Sequence, residues 1–106
     1  MNKAEIKNLY SHGLNFLPRH MHEGIRFYVD HGRATGGFLT SLLDGDLDGA
    51  FMRADPTNLA HRKEWLTFLS EYLPEQCHGS RTKAEAWRKM GGLAGLPAEG
   101  TGNGPA

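Results

Sequence analysis

The sequence predicts an all-α protein, a compact bundle of about five to six short helices around one long central helix at about residues 56 to 73. Runs that alternate apolar and polar residues are missing, whereas apolar residues recur at intervals of three and four almost throughout the chain. Proline, glycine and capping residues divide this pattern at short intervals. Because 106 residues fit one domain, we expect residues 1 to 90 to form a single helical domain.

The first two helices are predicted from glycine stops and one proline start. One helix covers about Lys3 to Ser11 and ends before Gly13. The second begins near Pro18, because a residue without an N–H group suits the first turn of a helix, and it stops at Gly32. Its apolar stripe consists of Met21, Ile25, Tyr28 and Val29.

Two short helices are predicted next. Thr35 is expected to cap the third helix, which ends at Gly45. Its apolar residues are Phe38, Leu39, Leu42 and Leu43. Asp46 is expected to cap the fourth, which carries Leu47 and Phe51.

The longest helix is predicted to begin at Asp55 and Pro56 and to run to about Leu73. Aspartate is a good capping residue, and proline suits the position that follows it. Pro74 ends the helix. One side of it carries Leu59, Arg62, Leu66, Leu69 and Leu73, with Trp65, Phe68 and Tyr72 beside them. We therefore expect this helix to be the spine of the core.

Ser80 is predicted to cap a last helix, in which Ala84 and Trp87 face the core. Gly91 and Gly92 end it. Residues 91 to 106 are rich in glycine and proline and hold two leucines, too little apolar surface to offset the entropy of ordering. They are predicted to form a flexible C-terminal tail.

Charge is balanced over the whole chain but not locally. Lys and Arg number 12, as do Asp and Glu, so no overall field draws the molecule to nucleic acid or to an anionic membrane. Two patches of opposite sign are the candidate partner-binding sites. The acidic patch is Asp44, Asp46 and Asp48, and the basic patch is Arg81, Lys83, Arg88 and Lys89.

The cysteine content and the hydropathy pattern predict a protein of the cytoplasm. The single cysteine, Cys77, has no intramolecular partner for a disulfide, which is typical of a reducing compartment. No apolar run reaches the length of a signal peptide core or a membrane span. We therefore expect no membrane partner.

The segment DGDLDG is compatible with a calcium-binding loop. An EF-hand loop takes ligands at positions 1, 3, 5 and 12, a glycine at position 6 and an apolar residue at position 8. These positions hold Asp44, Asp46, Asp48, Asp55, Gly49 and Phe51. Asp55 is one methylene shorter than the usual glutamate, and Pro56 follows it where the exiting helix should already be running. Helix caps and an acidic rim are the favoured interpretation, and no metal is predicted.

No other pattern predicts an enzyme, a metal or a cofactor. His20 and His22 are two residues apart, so they point to different sides of a helix, and Cys77 beside His78 lacks a CxxC partner. A phosphate-binding GxxxxGK[ST] loop is missing. The basic patch around Trp87 leaves nucleic-acid binding open, because arginine and lysine neutralise phosphates while an indole stacks on bases.

Several segments together resemble a family of small proteins encoded by bacteriophages and prophages. The segments are LPRHMHEGIRFYVDHG, GGFLTSLLDGDLDGAFMRAD and FLSEYLPEQCHGS, followed by Trp87. The resemblance spans about residues 17 to 87. It implies no catalytic residues. Members often have Asn-Asp-Leu in place of Gly45-Asp46-Leu47, which implies that Asp46 is kept as a cap.

The predicted function is that of a small phage-encoded accessory protein that acts by protein–protein binding. The resemblance implies a target among host or phage proteins, and inhibition of a host defence system, as by an anti-CRISPR protein, belongs to this class. The protein is expected to be a monomer or homodimer in the host cytoplasm. The alternatives are a nucleic-acid-binding protein that uses the basic C-terminal helix and a calcium-binding module at residues 44 to 55.

Overall fold

The structure, a computed structural model, describes residues 1 to 97. Within this range seven α-helices form a compact globule, so the predicted all-α class is confirmed. The helices are α1 (Lys3–Gly13), α2 (His22–His31), α3 (Gly37–Leu43), α4 (Leu47–Arg53), α5 (Pro56–Ala60), α6 (Arg62–Thr67) and α7 (Arg81–Met90). Short 3₁₀ turns lie at Leu14–Phe16, Arg19–Met21, Glu75–Cys77 and Gly92–Gly95.

Four helices begin at a side-chain cap, and three of these caps are predicted from the sequence. The capping residues are Asn2, Asp46, Asp55 and Ser80. Each side-chain oxygen accepts a backbone N–H of the first turn, which would otherwise be unpaired. Asn2 was not predicted as a cap, although Glu5 completes a capping box with it.

The predicted cap of the third helix is wrong. Gly36 precedes α3, and no side chain caps the helix. The hydroxyl groups of Thr35 and Thr40 hydrogen-bond to each other at 2.8 Å, and Thr40 also donates to the Thr35 carbonyl. Thr35 is thereby held by a side chain of the second turn and does not reach the first backbone N–H groups.

The predicted long central helix is also wrong, because α5 and α6 are separate helices. At His61 the backbone leaves the helical region, with φ −101° and ψ 22°. The Nδ1–H of His61 donates to the carbonyl of Thr57 at 2.8 Å, and its backbone N–H turns to Asn58. The side chain thus occupies the acceptor that a continuous helix offers to the backbone.

The segment after α6 is a π-helical turn, Phe68–Tyr72. Leu73 leaves it in an extended conformation, φ −118°, as expected for a residue before proline. The turn packs closely on α1, since a Cβ atom on Gly13 would lie 2.6 Å from the Cβ of Tyr72. A glycine at position 13 is therefore required for this contact.

Aromatic side chains form the centre of the core. The ring of Phe38 lies 5.2 Å from that of Trp65 and 5.7 Å from that of Phe51, and Trp65 contacts Phe68 at 6.2 Å. These edge-on contacts join α3, α4, α6 and the π turn. Asn58 is the one buried polar side chain among residues 1 to 97, and its Oδ1 accepts the Trp65 indole N–H at 3.2 Å.

Tyr28 connects α2 to the C-terminal part of the chain. Its hydroxyl donates to the Cys77 carbonyl at 2.7 Å, and its backbone carbonyl accepts the indole N–H of Trp87 at 3.1 Å. All three side chains are buried. Burial raises the pKa of Tyr28, so the phenol stays protonated and able to donate. The inward position predicted for Trp87 is confirmed.

The loop between α3 and α4 lies against the turn that leads into α7. Gly45 has φ +87°, and a Cβ on it would lie 2.5 Å from the carbonyl oxygen of Gly79. The N–H of Gly79 donates to Leu43 at 2.9 Å. Gly45 therefore supplies both a left-handed conformation and the space for a backbone contact.

The predicted flexible tail lies partly within the described residues. Gly92–Gly95 forms a 3₁₀ turn, and Leu93 is buried in the core. Residues 98 to 106 lie outside the described residues, so a flexible tail there stays a prediction.

The Tyr28→Phe variant should be destabilised. The exchange removes one hydroxyl from a packed site and leaves the Cys77 carbonyl without its donor, which costs about 1–3 kcal/mol of unfolding free energy. Denaturant unfolding followed by circular dichroism measures it. Tyr72→Phe is the matched control, because no hydrogen bond of its hydroxyl is found among the described residues. Equal stability of the two variants would contradict the role given to Tyr28.

The Gly45→Ala variant should lose about 1–3 kcal/mol, because alanine is strained at positive φ and its Cβ collides with Gly79. Gly37→Ala is the control, since that position starts α3 and its Cβ would make ordinary contact at 3.6 Å. Its stability should be unchanged or higher. Thermal melts of both variants measure the difference, and an unaltered Gly45→Ala midpoint would disprove the proposed backbone contact.

Candidate functional site

Two leucines predicted to lie along the core side of the long helix are instead exposed. Leu59 is 49% exposed and Leu66 is 38% exposed. The break at His61 and the burial of Trp65 turn these two side chains outward. Met52 of α4 is 86% exposed, the largest value among the described large apolar residues. Leu69 and Leu73 are buried, as predicted.

These exposed side chains belong to one surface, which we call the α4–α6 face. It is defined by Leu47, Asp48, Met52, Leu59, Arg62 and Leu66. Two clefts open on it. A cleft of about 390 Å³ is lined by Asp48, Phe51, Met52, Leu59 and Arg62. A second cleft, of about 320 Å³, lies between Leu47 and Leu66 and ends at His78 and Gly79. The first cleft is lined by residues of α4, α5 and α6, whereas the second is also lined by Leu42 of α3 and by Leu69 and Ser70 of the π-helical turn.

Charged groups stand at the edges of the first cleft. The guanidinium carbon of Arg62 lies 4.9 Å from the centroid of the Phe51 ring, so a cation–π contact orients this side chain. Asp48 lies in the first turn of α4 and is exposed. Within residues 1 to 97 neither Asp48 nor Arg62 belongs to an ion pair; the pairs found are Lys7–Asp30, His20–Asp55 and Arg81–Glu85.

The three residues of the predicted acidic patch have different surroundings. Asp46 caps α4 by accepting the N–H of Gly49 at 3.0 Å. Asp44 follows α3, and its Oδ1 is buried without a hydrogen-bond partner among the described residues. Asp48 alone lies at a cleft. The acidic patch is therefore one cap, one half-buried carboxylate and one residue of the α4–α6 face.

The structure does not bring together the four aspartates that would be the ligands of a calcium-binding loop. α4 occupies the middle of the segment, and Asp55 caps the next helix. One Asp55 oxygen accepts the N–H of Asn58 at 2.7 Å and the other contacts His20 Nε2 at 2.9 Å. The Asn58 hydrogen bond and His20 lower the pKa of Asp55. The part of the chain that the structure describes holds no group of three His, Cys, Asp or Glu residues that fits a metal ion.

The basic patch spreads around α7. Arg81 and Arg88 share one side of the helix because they are seven residues apart, Lys89 lies about 100° from Arg88, and Lys83 points the other way. Arg81 pairs with Glu85 at 3.2 Å. Trp87 is 1% exposed, so its ring is not available to stack on a nucleic-acid base.

Cys77 and His78 have no nucleophile–base geometry. The thiol is buried and donates to the Pro74 carbonyl at 3.1 Å. Burial raises the pKa of Cys77 to about 12, so the reactive thiolate does not form near neutral pH. His78 is half-buried at the second cleft, and burial lowers its pKa.

The sequence contains a signal for the exposure of Leu59 and Leu66, which was not predicted. The segment from Pro56 to Tyr72 is apolar on two sides, with Leu59 and Leu66 about 100° away from the stripe that contains Trp65. One core can cover only one of these sides.

No helix within residues 1 to 97 has the length and hydropathy needed to cross a bilayer.

The free energy of unfolding should fall as the pH is lowered from about 7.5 to about 5.5. Because the pKa of His78 is lower in the folded protein, the unfolded state binds the proton more tightly. The stability is complete above the ordinary histidine pKa and declines below it. Urea unfolding at several pH values should show a shallower decline for His78→Gln. If the unfolding free energies of the two proteins fall in parallel with pH, His78 is excluded as the source of the pH dependence.

Comparisons with known proteins place this chain in no group. No family model matches the sequence, and no curated protein or solved structure matches it either. The likeness to phage-encoded proteins therefore stays a resemblance in the motifs.

Proposed function

We propose that this protein acts by binding another protein through the α4–α6 face. The observation that carries the proposal is the exposure of Met52 and Leu59 at one cleft and of Leu66 at a second. Isolated exposed apolar residues are common in monomeric proteins, but a group of them on two adjoining clefts is typical of a contact surface.

The composition of the face also supports protein binding. Protein interfaces combine an apolar centre with a polar rim and are enriched in methionine and arginine. Met52 is the most exposed apolar side chain of the face, and its flexibility lets it adapt to different partner surfaces. Arg62 and Asp48 form the rim. Because Arg62 already rests on Phe51, it loses less side-chain entropy on binding than a free arginine would.

The free energy gained by burying the apolar side chains of the face can be compared with the cost of association. Covering the exposed fractions of the three apolar side chains contributes roughly 3–5 kcal/mol. The loss of translational and rotational freedom on association costs about 4–15 kcal/mol. Apolar burial alone is therefore too small for a stable complex, and the partner must also engage the charged rim and fill the clefts.

The biological target follows from the motif resemblance. A protein that resembles phage-encoded proteins is expected to meet host or phage proteins, and modulation of a host factor such as a defence system is the role we propose. Inhibition by occupying a surface needs no catalytic group on this chain.

The double variant Met52→Lys/Leu59→Lys should lose the protein's partners. The tagged wild type and the tagged variant are each used to capture proteins from bacterial cells that also express an untagged copy of the chain. Quantitative mass spectrometry then compares the proteins captured by the two. The variant should retain specific partners about tenfold less or worse, because two lysines cannot be desolvated in the apolar centre.

Phe27→Lys is the matched control, because Phe27 is 42% exposed and lies on α2, outside the α4–α6 face. The Phe27→Lys variant should capture the same partners as the wild type, in equal amounts. Equal losses in the two variants, or captures that nuclease treatment removes, would refute protein binding by this face. Thermal melts confirm that each variant is folded.

A further inference from the structure

We propose that the protein covering the α4–α6 face is a second copy of this chain, in a two-fold symmetric dimer in which Asp48 of each copy pairs with Arg62 of the other. This inference rests on the proposed function and names the partner of the same face. It follows from the way the charges, the projecting side chain and the clefts are distributed over one surface.

Opposite charges line one cleft. Asp48 belongs to α4 and Arg62 to α6, and both line the cleft that also contains Met52 and Leu59. Within residues 1 to 97 the two do not pair with each other or with a third residue, although both are exposed. The face therefore offers one free anion and one free cation.

A two-fold axis makes use of this arrangement. An isologous interface places the same patch of both copies together, so each contact occurs twice. A half-turn through the centre of the face lays α4 of one copy over α6 of the other. Asp48 then faces Arg62 twice, in two equivalent ion pairs. A patch of a single sign would repel its own copy, whereas this patch carries both signs.

The apolar shape of the face is also self-complementary. Met52 is 86% exposed, and a separate cleft lined by Leu47 and Leu66 is open to solvent. In the dimer each Met52 enters the cleft of the other copy. The unbranched methionine side chain suits an irregular apolar cleft of this kind.

The overall charge permits close approach of two copies. Acidic and basic side chains number 12 each, so the formal net charge is zero with neutral histidines. Identical copies therefore carry no net repulsion at neutral pH. A strongly charged partner would gain little from this face, because its attraction to one rim residue is opposed by its repulsion from the other.

Reciprocal charge reversal tests the pairing. Sedimentation equilibrium over about 1 to 100 μM should show the wild type moving from one chain toward twice that mass. Asp48→Arg places two cations on each copy and Arg62→Asp places two anions, so each variant alone should dimerise at least about tenfold more weakly. Phe27→Lys, outside the face, should dimerise like the wild type.

An equimolar mixture of the two charge variants is the decisive measurement. One copy then offers two cations and the other two anions, so both ion pairs form and a heterodimer should appear at the wild-type affinity. Native mass spectrometry distinguishes it from homodimers. A variant damaged in its fold would not be rescued in this way. If a melt shows unfolding, Asp48→Lys or Arg62→Glu replaces the affected variant.

Each outcome separates this inference from the proposed function. A wild type that stays monomeric, or a mixture that forms no heterodimer, overturns the two-fold dimer. If Met52→Lys/Leu59→Lys then still loses another captured protein, the face binds a different partner and the proposed function stands. If neither a second copy nor another protein depends on the face, both are wrong.

Discussion

The buried hydrogen bonds of Tyr28 hold the two halves of the chain together. One side chain and its own carbonyl reach Cys77 and Trp87, which are 49 and 59 residues away in sequence. Because these groups are shielded from water, losing any partner leaves a polar group unpaired in the core. Tyr28 thus links α2 to the turn before α7 and to α7 itself. The contact of Gly45 with Gly79 brings the α3–α4 loop to the same turn.

Once this frame is set, the aromatic core determines which side of α6 faces outward. Trp65 is fully buried between Phe38, Phe68 and Asn58, so its side of α6 cannot turn to solvent. Leu66 is the next residue along the helix and therefore points about 100° away, at the edge of the core. The exposed apolar surface is a consequence of this packing.

The site was only partly predictable. Asp48 was recognised as a candidate contact because it is a charged residue next to a helix start, and the structure leaves it exposed at a cleft. Met52, Leu59 and Leu66 were missed, since an apolar residue in a helical pattern is usually assigned to the core. Arg62 was placed on the same side because its position in the helical pattern lies between Leu59 and Leu66. Leu59 and Leu66 lie on one of the two apolar sides of their segment, and only the packing of the whole core decides which of these sides is buried.

The sequence by itself determined the helical class and the places where most helices begin and end. Caps such as Asp46 and Ser80, and the glycine stop at Gly32, act through hydrogen bonds and backbone angles within a few residues, so they can be read locally. Tertiary structure decided the exposure of Met52, Leu59 and Leu66. These outcomes depend on competition between distant side chains for one core, and that competition is settled only when all the helices pack together.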